Sequence, residues 1–63
     1  MYTNFMPRYN IIIKLRDGNV IQTDSSHIET ILKEQDLKQK LKLVKTDFNR
    51  LSGNLQLVVY EET

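Results

Sequence analysis

Apolar and polar positions alternate through residues 9–16, break at Asp17–Gly18, and resume through residues 19–23. Alternation with period two is the pattern of a strand with one buried face. An Asp-Gly step between two β-branched runs is a hairpin signal. In the first strand Tyr9, Ile11, Ile13 and Leu15 share one face, and Asn10, Ile12, Lys14 and Arg16 share the other. The odd-numbered set is the richer in apolar residues and is the expected core face. A three-residue loop, Arg16-Asp17-Gly18, pairs Ile13 with Ile21 on that face. It also puts Gly18 where such a loop needs a left-handed residue. The same register moves Val20 to the outer face beside Lys14.

After the hairpin, Thr23-Asp24-Ser25-Ser26 reads as a helix start. Ser26 and Glu29 have capping-box spacing, and Asp24 or Ser25 would also cap. Ile28, Ile31 and Leu32 then follow helical spacing, which predicts an amphipathic helix over about residues 26–35.

The next segment supports two readings. Leu37, Leu41, Val44, Phe48 and Leu51 step by four, three, four and three, as on one side of a helix. Asp36 with Gln39 would cap its start, and Gly53 would follow its end. This stripe lies nearly opposite that of Ile28, Ile31 and Leu32, so two helices would need a break near Gln35–Asp36. The rival is a strand over residues 40–48, turned back by a loop near 49–54 with Ser52-Gly53-Asn54 as turn chemistry. The helical stripe makes more matches to its template and is the preferred reading. Residues 55–60 close the chain as a strand. Leu55, Leu57 and Val59 are on one side and Gln56, Val58 and Tyr60 on the other, apolar enough on both for a central position. The expected class is α+β: an N-terminal hairpin, a helical middle and a C-terminal strand. This is ββαβ, or ββαββ if 40–48 is a strand.

Sixty-three residues make one domain. Residues 9–63 form it, and residues 1–8, with Pro7 opposing regular structure, form an N-terminal arm. A chain this short buries only about 60% of its unfolded surface and is commonly reinforced by disulfides, a metal or self-association. It has no cysteine and one histidine, His27, so disulfides and a Cys/His zinc site are excluded. A tidy small core or self-association remains, with a homodimer favoured. No apolar run reaches the ~18 residues of a membrane span, and the N-terminal segment lacks a signal-peptide pattern, so a cytoplasmic protein with no membrane partner is expected.

The formal net charge of +1 is far from that of a dedicated nucleic-acid binder. Yet Lys33, Lys38, Lys40, Lys42, Lys45 and Arg50 outnumber Glu34, Asp36 and Asp47 in segment 33–50. On a helix Lys38, Lys42 and Lys45 would form a row able to follow a phosphate backbone, with Arg50 beyond it. Lysine stems covering the rim of a core are the plainer reading. No catalytic set can be assembled. His27 lies beside Ser25 and Ser26 at a helix start, the carboxylates are scattered among turns and caps, and the two glycines form no phosphate loop. No cofactor or metal is expected, and the chain is not expected to be an enzyme.

The apolar outer positions Ile12, Val20, Val58 and Tyr60 would together make a sheet face larger than a small monomer should expose. The expectation is a non-catalytic protein-binding module that acts by occupying a partner's surface. Asparagine-, lysine- and isoleucine-rich composition suits an accessory or inhibitor protein of phage or mobile-element type. Nucleic-acid binding through segment 33–50 is the alternative.

Overall fold

The computed structural model describes residues 8–63. The expected N-terminal arm lies outside the described residues except for Arg8. The chain forms β1 (Asn10–Lys14), β2 (Val20–Asp24), α1 (Ile28–Glu34), β3 (Leu41–Phe48) and β4 (Leu55–Glu62). The four strands make one mixed sheet in the order β2-β1-β4-β3. The two hairpins, β1–β2 and β3–β4, meet where β1 runs parallel to β4. Helix α1 carries the chain from one edge of the sheet to the other.

The first hairpin has the three-residue loop expected from its pattern. Ile13 pairs with Ile21 and Lys14 with Val20. The Leu15 N–H donates to the Asn19 carbonyl at 2.8 Å, and Gly18 takes φ +95°. Asp17 Oδ1 also accepts from the Asn19 N–H at 2.9 Å, fixing the turn from its own side chain.

Parallel register sets the core. Ile11 stands beside Val58 and Ile13 beside Tyr60. Ile11, Ile13, Leu37 and Val58 are buried as one cluster, Ile13 completely, with Ile28, Ile31 and Leu32 of α1 packed against it. A seven-residue helix has too few turns to persist alone, so this packing is what holds α1.

The break expected near Gln35–Asp36 is a Schellman closure. Leu37 N–H donates to the Leu32 carbonyl at 2.9 Å and Asp36 N–H to that of Lys33 at 3.3 Å. Asp36 takes φ +54°, and the chain reversal drives Leu37 into the core at 3% exposure. Asp36 therefore follows a helix end and caps no second helix. Residues 41–48, preferred as helix on their spacing, are strand β3. The reason is that β4 is apolar on both sides and needs a hydrogen-bonded neighbour on each edge. β1 satisfies one edge and residues 41–48 the other. The turn between β3 and β4 is closed by Asn49 N–H to the Asn54 carbonyl at 2.8 Å, with Gly53 at φ +73°.

Two irregularities set which way β3 and β4 face. Leu43 pairs with Tyr60 but Lys45 with Val59, so Val44 is an extra residue in β3. Asp47 pairs with Leu57 but Phe48 with Leu55, so Gln56 is an extra residue in β4. Each bulge resets the alternation. The second one returns Leu55 to the helix side, where it packs on the core.

Two substitutions probe this account. Asp36→Gly puts at this left-handed position the residue that adopts it without steric cost, and is expected to stabilise the fold by about 0.5–1 kcal/mol. In thermal melts this is an upward shift of roughly 2–8 °C. Ile13→Ala leaves a cavity in the middle of the core and is expected to cost about 2–5 kcal/mol, most of the margin of so small a domain. Chemical denaturation measures that loss.

Candidate functional site

The register divides the expected binding residues between two faces. Ile12 pairs with Gln22 and Val59, and Val20 with Lys14, on the side away from α1. Val58 and Tyr60 stand beside Ile11 and Ile13 on the helix side. Val58 is buried in the core and Tyr60 packs against it, so these two form no common patch with Ile12 and Val20. Sequence alone could not relate the parity of β4 to that of β1, because that depends on the parallel register. What remains on the outer side is an open hollow of about 490 Å³, lined by Asn10, Ile12, Gln22 and Leu57 among others.

The lysine row is also redistributed. Lys38 lies in the turn after α1, Arg50 in the turn after β3, and only Lys42 and Lys45 share an element. The Val44 bulge puts both on the outer face, since Lys42 pairs with Glu61 and Lys45 with Val59. Lys14 joins them, also paired with Glu61. Glu61 and Asp47 lie on the same face, and their carboxylates offset most of that charge. The face is of mixed sign, unlike the unbroken positive track that would follow a phosphate backbone.

The expected Ser26–Glu29 box does not form: the N-cap is His27, with no side-chain capping hydrogen bond, and Asp24 instead closes the turn that leads into the helix. Asp24 Oδ1 accepts from the backbone N–H groups of Ser26 at 2.9 Å and His27 at 3.1 Å. It also accepts from the Ser26 hydroxyl at 2.7 Å and His27 Nδ1 at 2.9 Å. The Ser26 hydroxyl and the His27 ring together hold the Asp24 carboxyl down from 3.8 to about 2. This trio of Asp, Ser and His is not arranged as a nucleophilic triad. A triad needs the hydroxyl on one ring nitrogen and the carboxylate on the other. Here Nδ1 meets both, and the serine proton is directed at the carboxylate. The cluster is an Asx turn at the entry to the helix. Among the described residues no group of three or more His, Asp or Glu side chains could hold a metal ion.

The surface that departs most from an ordinary monomer is β3. Its outer edge has no strand beside it, and every residue after Leu41 is exposed. Helix α1 packs over the β2 side and leaves the helix-side face of β3 bare. Leu43 is 55% exposed, Val44 47%, Phe48 57% and Leu51, in the following turn, 99%. Leu43 lies on the bare face, with Thr46 and Phe48 beyond the bulge, while Leu41 at the start of the strand packs on the core. The helical stripe assigned Phe48 and Leu51 to the core. The signal available in the sequence was the alternation Leu41, Leu43, Thr46, Phe48, hidden by the one-residue slip at Val44.

Comparison of the chain with protein-family models, with curated proteins and with solved structures finds no match in any of the three. Among the described residues no helix is long and apolar enough to cross a membrane.

The Asp24 turn gives a pH prediction. A carboxyl with a lowered pKa in the folded state contributes stability that is fully present above its ordinary pKa and is lost as pH falls through the folded value. The Ser26 and His27 amide resonances should therefore show a low-pH step with a midpoint of about 2. Asp24→Asn should abolish that movement. A midpoint near 3.8 would mean that the carboxylate is not held by these hydrogen bonds.

Proposed function

We propose that this protein is a non-catalytic protein-binding module whose contact surface is the free edge and bare face of β3. It acts as an accessory or inhibitor protein, by occupying a partner's surface. One observation carries this reading: an eight-residue edge strand that exposes Leu43, Val44 and Phe48, with Leu51 beyond it. Edge strands present unpaired backbone groups, and folded proteins normally keep them short, charged or covered. A long apolar one suits recognition by strand addition, in which backbone hydrogen bonds supply affinity and side-chain alternation supplies specificity. Lys42 and Lys45 discourage indiscriminate pairing without closing the edge.

The experiment is capture of partners by the tagged protein, with and without nuclease, comparing the unmodified chain with Phe48→Asp. Phe48 is more than half exposed, so the substitution should leave the domain folded, at a cost of about 1 kcal/mol. A stoichiometric protein that survives nuclease and is lost with Phe48→Asp supports the reading. Capture that is abolished by nuclease and unaffected by Phe48→Asp overturns it in favour of nucleic acid bound at Lys42 and Lys45.

A further inference from the structure

We infer that the partner fitted by the β3 edge is a second copy of this chain, joined antiparallel through β3 into one eight-stranded sheet. The inference rests on the reading of β3 as a contact surface and names its occupant. The warrant is the pattern of side chains along β3. Two copies of one strand pair about a two-fold axis, so residues whose numbers have a constant sum face each other. Residues on opposite strands that face each other must point to the same side of the sheet.

An axis between Val44 and Lys45 sets Leu41 against Phe48, Lys42 against Asp47 and Leu43 against Thr46. In a regular strand this pairing is impossible. Its partners are an odd number of residues apart and would point to opposite faces. The Val44 bulge supplies the missing half-step. With it, Leu41, Leu43, Thr46 and Phe48 lie on the helix side, while Lys42 and Asp47 lie on the outer side.

The joined strands then match in two ways. On the helix side, Leu41, already packed on the core, faces Phe48 of the other copy with Leu43 beside it, so that Leu43 and Phe48 are covered where α1 does not reach. On the outer side, Lys42 of each copy meets Asp47 of the other, twice by symmetry. This register engages all eight residues of β3. The other opposite-charge register, Lys45 against Asp47, engages only residues 44–48. Directly opposed unlike charges stabilise strand pairs, and like charges oppose them.

The test uses charge reversal, with mass measured by sedimentation or light scattering across a concentration series. The unmodified chain should approach twice its 7.5 kDa as concentration rises. Asp47→Lys places two lysines opposite Lys42 in its own dimer, and Lys42→Glu places two carboxylates opposite Asp47. Each variant alone should dimerise about ten-fold or more weakly. Mixed in equal amounts, the two should form a heterodimer of about unmodified affinity, because every opposed pair is again of unlike sign. That rescue also shows that neither variant has merely unfolded. A monomer at all concentrations, or a dimer indifferent to both variants and to their mixing, overturns the inference. Either failure leaves the wider reading to be judged separately, by whether Phe48→Asp abolishes capture of a different protein.

Discussion

Pairing of β1 with β4 is the constraint on which the rest of the structure depends. It brings together the two ends of the folded chain, Ile11 beside Val58 across most of the sequence. Neither hairpin has a core of its own. Ile11 and Ile13 come from one, Val58 from the other, and Leu37 from the link between them. The core exists only once both hairpins have formed and docked. A chain whose stabilising contacts are this distant in sequence must meet its loop-closure cost before any burial offsets it. Cooperative folding with little partial structure is the physical consequence.

Parallel docking also determines which edges stay open. β1 and β4 take the centre, so β2 and β3 become the edges. These edges differ. β2 has five residues and packs with the helix, and its exposed positions are Val20 and Gln22. β3 has eight residues, and its apolar side chains lie beyond the reach of a seven-residue helix. The asymmetry follows from helix length: α1 ends at the Schellman closure, and Leu37 completes the cover over the core. Beyond that point the helix-side layer is missing, and apolar residues that would be interior in a larger domain lie at the surface.

The Val44 bulge is the feature of β3 with the widest consequence. One inserted residue sends Lys42 and Lys45 to the same face, although they are three apart, and keeps Leu43 and Phe48 together on the other. It makes the strand compatible with a two-fold partner and separates charge from apolar surface along an edge that would otherwise mix them. A bulge at a sheet edge is a common device for re-aiming side chains.

Local patterning determined much of the fold. The Asp17–Gly18 turn, the Ile13–Ile21 register, the core parity of β1, the helix over Ile28, Ile31 and Leu32, the stop at Gln35–Asp36 and the closing strand all follow from near neighbours in the sequence. These are interactions within a turn or between strands joined by one, where spacing alone carries the geometry. Tertiary structure decided the rest. Residues 41–48 are a strand because β4 has a second edge to satisfy, against a spacing that imitates a helix only because a bulge interrupts true alternation. The separation of Val58 and Tyr60 from Ile12 and Val20 depends on the β1–β4 register, to which no local signal points. Exposure of Leu43, Val44, Phe48 and Leu51 depends on where a short helix stops. A side chain's hydrophobicity is a property of the sequence, but whether it is covered depends on what the rest of the chain has left to place over it.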